Sequence, residues 1–117
     1  MPSKRGDRAA PPPRSTDWDV MLHNADAAKG WDELCRSAPS NTWEAWVILR
    51  ERPTRPAQPS RQHRLRGGLA HREVKGRALE QWQYEVTAAG RIWYCPDPEK
   101  RIVWITYASV AHPRATG

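Results

Sequence analysis

Hydrophobic residues change their spacing once along the chain, from a helical period in the first half to a strand alternation in the second. The segment 18-WDVMLH-23 is short and apolar and predicts one strand. Apolar residues three and four positions apart follow. They predict a helix that ends near Ala38, with Asn24 or Asp26 as its N-cap. The apolar side of this helix comprises Ala27, Trp31, Leu34 and Cys35.

A second helix is predicted after Pro39. Asn41 and Glu44 have the spacing of a capping box, and Pro53 should end the helix. Its apolar surface comprises Trp43, Trp46, Val47 and Leu49. The proline-rich segment 53–60 carries no packing signal and predicts a connector.

The second half of the chain has the alternation of β-strands. Residues 63–77 are weakly patterned and allow a short strand near Leu65, a Gly-Gly turn and a second extended piece. The alternation is clear in 79-LEQWQYEVT-87, and it predicts a strand with two distinct faces. One face comprises Trp82, Tyr84 and Val86, and the other comprises Gln81, Gln83 and Glu85.

A hairpin loop is predicted next, with Gly90 at its strained position. The strand 91-RIWYC-95 follows, with Ile92 and Tyr94 on one face and Arg91, Trp93 and Cys95 on the other. A Pro-Asp-Pro turn leads into 101-RIVWITYASV-110, which is apolar on both faces, as is typical of a central strand.

This order of elements predicts an α+β fold. An N-terminal strand and two helices should pack on one face of a small, mainly antiparallel sheet, and the other face should stay open. Residues 1–16 mix charges, small residues and a triple proline, so we expect a disordered basic arm before a single domain at residues 17–117.

Charge is the compositional feature that bears on function. Residues 50–77 carry nine Arg or Lys against Glu51 and Glu73, a net charge of +7, whereas the rest of the chain sums to −1. Such a segment can attract a polyanion through phosphate contacts, although a solvated basic loop has the same composition. Cys35 and Cys95 lack metal-ligand spacing, and no secretory or membrane-spanning segment is visible. We therefore expect a cytoplasmic protein with reduced thiols and no cofactor.

Three short segments resemble the RelE/ParE superfamily of bacterial type II toxins. "RIWY" followed by "CPDPEKRIVWI" resembles that family's Arg-containing strand, acidic turn and last strand, and "LRGGL" resembles its L-x-G-x-L before the sheet. The resemblance covers roughly residues 18–114. It implies a RelE-like, microbial-ribonuclease-like fold and a toxin that cleaves mRNA in the ribosome and is neutralised by an antitoxin. The ParE branch instead implies an inhibitor of DNA gyrase.

The resemblance also implies catalytic roles. Metal-independent RNA cleavage needs a base, an acid and a cation for the phosphorane charge. Arg91 falls on the arginine that the family uses against the scissile phosphate, and His112 falls near the family's terminal His or basic residue. Strand alternation places Glu85 on the same face as Arg91. There it could act as the base or simply form an ion pair with that arginine. The alternative interpretation of His112 is an exposed histidine of the C-terminal tail with no catalytic role.

Further residues are candidates for contacts with RNA or the ribosome. They are Arg72, Lys75, Arg77, Trp93 and Arg114, with His71 and Tyr107 as weaker candidates. Gln83 and Glu85 stand where RelE has lysines, and Pro113 stands where several members have Tyr. A catalytically inactive basic module that binds RNA or protein is therefore a third hypothesis.

Overall fold

The computed structural model describes residues 2–9, 14 and 16–111. This part of the chain has the predicted α+β architecture, with two helices packed on a mixed sheet. The helices are α1 (Ala25–Ser37) and α2 (Pro39–Glu51). The strands are β1 (Asp19–Leu22), β2 (Gln62–Arg64), β3 (His71–Val74), β4 (Arg77–Glu80), β5 (Trp82–Glu85), β6 (Arg91–Asp97) and β7 (Ile102–Ser109).

The main sheet has five strands in the order β1-β7-β6-β5-β2. β1 pairs in parallel with β7, and the other neighbours pair antiparallel. The predicted succession of β5, β6 and β7 through tight turns is confirmed. The strands β3 and β4 form a separate two-stranded sheet, so the predicted strand 79–87 is in fact divided between two sheets.

The main core lies between the helices and one face of the sheet. Its fully buried members include Leu22, Leu34, Leu49, Ile92 and Ile105. The predicted inward faces of β5 and β6 are confirmed, since Trp82, Tyr84, Val86, Ile92 and Tyr94 all belong to this core. Helix α1 lies directly against β7, because a Cβ at Gly30 would stand 1.8 Å from the carbonyl oxygen of Ala108.

The face away from the helices is partly covered, which corrects the expectation of an open face. Val74 and Leu79 of the β3–β4 hairpin pack against Cys95 and Trp104. Each hairpin strand contributes one buried residue, which is too few to give an alternating pattern in the sequence. The turn places Lys75 at φ +54° and the following glycine at φ +79°, which is typical of a type I′ hairpin.

The two helix starts differ from each other in their capping. Asn24 caps α1 as predicted, and its Oδ1 accepts from the amide of Ala27 at 2.7 Å. The capping box predicted for α2 is wrong, because this helix begins at Pro39 and has no side-chain cap. The side chain of Asn41 donates instead to the carbonyl of Val86 at 2.9 Å. Proline suits the first position of a helix, because it has no backbone N–H and an N–H at that position would have no partner within the helix.

The predicted connector 53–60 begins with a buried anchor. Pro53 is fully buried, and its carbonyl accepts from the hydroxyl of Tyr94 at 2.8 Å. The Nε2 of Gln62 donates to that same hydroxyl at 2.9 Å. Burial raises the pKa of Tyr94, so the hydroxyl stays protonated and donates.

The N-terminal segment 2–9 runs along β1, whereas its composition predicts a disordered arm. Ala9 donates its amide to the carbonyl of Val20 at 2.8 Å. Ala9 is buried, and its carbonyl accepts from Trp46 Nε1 at 3.1 Å. Backbone pairing with an edge strand therefore orders a segment that has little to bury by itself.

A buried ion pair joins the start of the domain to helix α2. The carboxylate of Asp17 accepts from both Arg14 and Arg50, and Arg50 lies 4.1 Å over the ring of Trp46. The hydrogen bond from Arg14, joined by the charge of Arg50, holds the pKa of Asp17 well below its ordinary value. Asp17 is therefore ionised in the folded protein.

Candidate nucleic-acid interface

We call the side of the main sheet that lies away from α1 and α2 the helix-free face. One part of it is the apolar cluster under the β3–β4 hairpin. Beside that cluster lies a row of residues paired in register across four strands. The row comprises His63, Gln83, Trp93 and Tyr107.

A β-bulge brings Tyr107 into this row. Trp93 pairs with Tyr107, but the next residue of β6 pairs with Ile105, so Thr106 is the extra residue on β7. The rings of Trp93 and Tyr107 lie 4.7 Å apart. The hydroxyl of Thr106 donates to Gln81 Oε1 at 2.7 Å. Strict alternation would have placed Tyr107 on the helix side with Ile105, so the bulge creates this aromatic pair.

Trp93 is the buried member of that pair. Only 8% of it is exposed, and its Nε1 donates to Gln83 Oε1 at 2.9 Å. Trp93, which was predicted to contact RNA or the ribosome, is therefore largely inaccessible. Tyr107 is partly exposed and presents the accessible ring.

Arg91 and Glu85 are brought together as the sequence predicts. They pair in register, and Arg91 Nη2 lies 3.7 Å from Glu85 Oε2. Glu85 is partly exposed, with 35% of its side chain accessible. This arrangement corresponds to the ion-pair interpretation of the two residues.

The guanidinium of Arg91 is turned into the β5–β6 loop. Its Nη1 donates to the carbonyl oxygens of Thr87, Ala88 and Gly90 at 3.0, 3.2 and 3.0 Å. Only 10% of the side chain is exposed, so the expected open position of this arginine is not observed. With so little of the side chain exposed, a phosphate could reach the guanidinium only if the side chain moved.

The β3–β4 hairpin presents the predicted cations Arg72, Lys75 and Arg77 at the surface. Arg77 is paired with Asp97 at 2.9 Å and with Glu99 at 3.1 Å. Within the described residues, Arg72 has no ion pair. The Nζ of Lys75 lies 5.3 Å from the centre of the Trp104 ring. Arg72 and Lys75 are therefore the hairpin cations that an anion can reach without displacing a carboxylate.

His112 and Arg114 lie outside the described residues. His71, the weaker histidine candidate, is exposed on β3. Its backbone partner is Glu80 of β4. The predicted site residues that the structure describes are therefore those on β5, β6 and the β3–β4 hairpin.

His23 is a basic residue that the sequence interpretation missed. It follows β1 on the helix-free face, and its ring meets that of Trp104 edge-on, with centroids 6.1 Å apart. Burial lowers the pKa of His23, and the charges of Arg72, Lys75 and Arg5 lower it further. The sequence pattern predicts that His23 ends the first strand. Its neighbours, however, come from three distant segments that come together only in the folded protein.

A groove lies on the other side of the molecule, between α2 and the connector. It has a volume of about 390 Å³. Trp43 forms one edge with 59% of its surface exposed, and Arg61 lies 5.4 Å over the ring of Tyr84. Trp43 was predicted to belong to the apolar surface of α2, and it is instead exposed.

No cluster of three or more His, Cys, Asp or Glu in residues 2–9, 14 and 16–111 could hold a metal ion. Neither helix in that part of the chain is long and apolar enough to cross a membrane.

Comparison with known proteins identifies no relative. No family model matches the sequence, and no curated protein or solved structure matches it significantly. The function must therefore be argued from the residues and their geometry.

Proposed function

We propose that the chain is a toxin of the RelE/ParE type that acts as a metal-independent mRNA endoribonuclease on the ribosome. A cognate antitoxin would neutralise it. The observation that carries the proposal is the row His63, Gln83, Trp93 and Tyr107 on the helix-free face, beside a hairpin with accessible cations.

The fold is compatible with this proposal. A strand, two helices and then antiparallel strands is the order that the sequence resemblance implies. The helices cover one face, so a ligand of the sheet has access only to the face that carries the row. Partly exposed Tyr107 offers a ring on which a base can stack, and this kind of contact tolerates any sequence.

Electrostatics favour a polyanionic substrate. The chain has a net charge of +6, and Arg72 and Lys75 project from the hairpin that borders the row. Cations of this kind position a nucleic-acid backbone without reading its sequence. Glu85 stays accessible on the same face and is the carboxylate best placed to accept a proton from a bound ribose.

The contacts of Arg91 favour a second candidate, an inactive module of the same fold that binds RNA or protein. An arginine that holds three loop carbonyls is already used for structure. In the catalytic proposal, the buried guanidinium must become more accessible so that it can contact a phosphate oxygen. In the binding-module proposal, Arg91 keeps all three.

Controlled expression in a bacterium separates the candidates. The wild-type chain is induced from a tight promoter and new RNA ends are mapped across the transcriptome. Glu85→Gln and His112→Ala serve as the catalytic variants. Lys29→Gln, which removes an exposed charge from α1 on the opposite side of the molecule, is the control.

A ribosome-dependent ribonuclease gives cuts inside translated frames that persist in Lys29→Gln and disappear in Glu85→Gln and His112→Ala. Each variant's melting temperature is measured first, so that unfolding is not mistaken for lost catalysis. Growth arrest with DNA damage and without new RNA ends would instead indicate a gyrase inhibitor. RNA binding without arrest would indicate the inactive module.

A further inference from the structure

His23 has an incompletely satisfied imidazole. Its Nδ1 is buried and has no hydrogen-bond partner, which is true of no other buried side-chain N or O atom in the described residues. A buried N–H without an acceptor is costly, so a neutral ring holds its proton best on Nε2. That leaves Nε2 as a donor for a group outside the protein.

Positive charges from two separate segments act on this imidazole. Arg5 belongs to the N-terminal segment, and Arg72 and Lys75 belong to the β3–β4 hairpin. His23 and Lys75 also contact the same indole, Trp104, from β7. These side chains, which we call the His23 cluster, bring three cations and one N–H donor together, with His23 and Lys75 against the ring of Trp104.

The cluster is held at some cost to local stability. Like charges repel, and within the described residues neither Arg5 nor Arg72 has an ion pair that offsets this repulsion. Lys75 also adopts a positive φ of +54°, where Asn or Gly is normally preferred. A bound anion would neutralise the repulsion and would accept the unused donors.

We propose that the His23 cluster binds a phosphodiester of an RNA strand that lies across the helix-free face. This inference rests on the proposed action on RNA, and it adds His23 and Arg5 to the backbone contacts proposed for Arg72 and Lys75. Arg5, Arg72 and Lys75 supply the charge, and His23 donates from Nε2. Anion binding raises the pKa of His23, because it screens the three cations that lower it.

The test follows the histidine ring signals by NMR in the full chain. The pH titration of His23 is recorded alone, with a short single-stranded RNA, with the same RNA carrying uncharged methylphosphonate linkages, and with inorganic phosphate. The signal is assigned by its loss in His23→Gln.

Two charge variants of equal formal change complete the design. Lys75→Asn removes a cation and suits the positive φ, so the hairpin should stay folded. Lys29→Gln removes an exposed cation from α1, on the opposite side of the molecule. We expect Lys75→Asn to weaken RNA binding about tenfold and to reduce the salt slope by about 1, and Lys29→Gln to change neither.

The proposal predicts that RNA raises the pKa of His23 in the wild-type chain and in Lys29→Gln, and much less in Lys75→Asn. It also predicts tighter binding at lower pH. RNA that binds without moving His23 would overturn it, as would an equal response to the uncharged RNA. A response to inorganic phosphate alone would replace the RNA site by a site for free anions.

These outcomes are independent of the cellular assay. RNA cuts in cells without a response at His23 would reject this inference and keep the proposed function. A response at His23 without cuts would keep the phosphate site and reject the catalysis.

Discussion

Replacing Arg91 by methionine should destabilise the fold strongly, because the side chain holds the β5–β6 loop closed. Its Nη1 donates to three loop carbonyls, and the bond to Gly90 is buried. A hydrogen bond from a charged donor contributes about 1.5–3 kcal/mol, and water can replace part of the two less buried contacts. We therefore expect a loss of about 2–4 kcal/mol, with the aliphatic stem of the side chain largely retained.

Thermal unfolding followed by circular dichroism checks this value. A loss of that size should lower the melting temperature of a domain this long by on the order of 10 °C. Glu85→Gln is the matched control on the opposite strand. Its carboxylate is partly exposed and 3.7 Å from the guanidinium, so the change should cost less than about 1 kcal/mol.

A melting temperature of Arg91→Met within about 2 °C of the wild-type value would refute this reasoning. Arg91 would then be energetically free to bind a phosphate, and lost cleavage in that variant would report on catalysis. If the large shift is found, lost cleavage in an Arg91 variant can be interpreted only at temperatures where the variant is folded.

Three further predictions concern folding and reactivity. Gly30→Ala should lower the free energy of unfolding, measured with urea, by more than about 3 kcal/mol, because its Cβ would stand 1.8 Å from a carbonyl oxygen of β7. Gly68→Ala, whose Cβ would have no atom within 4 Å, should change that free energy by less than about 1 kcal/mol. Burial raises the pKa of Cys95 to about 12. At pH 8 a thiol reagent should therefore react quickly with exposed Cys35 and with Cys95 only after unfolding. Equal reaction rates of the two thiols in the folded protein would contradict this. The pKa of Asp17 is lowered by folding, so its stabilisation is complete above its unfolded pKa of about 4 and is lost as the pH falls below that. Urea midpoints at pH 3 and 7 should show this loss in the wild-type protein, and Asp17→Asn should lack this part of the pH dependence.

Local patterns predicted the elements whose own sequences carry a clear periodicity. β1, α1 and the strands β5 to β7 follow from periodicity and turn residues. The same patterns could not predict the β3–β4 hairpin as a separate sheet, because Val74 and Leu79 are its only buried residues. They also gave no sign that segment 2–9 pairs with β1, since that contact is made by backbone groups which every sequence has.

The candidate site was harder to predict than the fold for a related physical reason. The sequence places Arg91 beside Glu85 correctly. The direction of a guanidinium, however, depends on which acceptors the loop offers, and here three loop carbonyls accept from it. Tyr107 reaches the helix-free face only through a bulge that no residue type marks. His23 acquires its cationic neighbours only when the N-terminal segment and the hairpin fold against β1 and β7. The helix-free face therefore owes its chemistry to long-range contacts, and variants that move those contacts without unfolding the sheet, such as Lys75→Asn, test function more directly than substitution of Arg91.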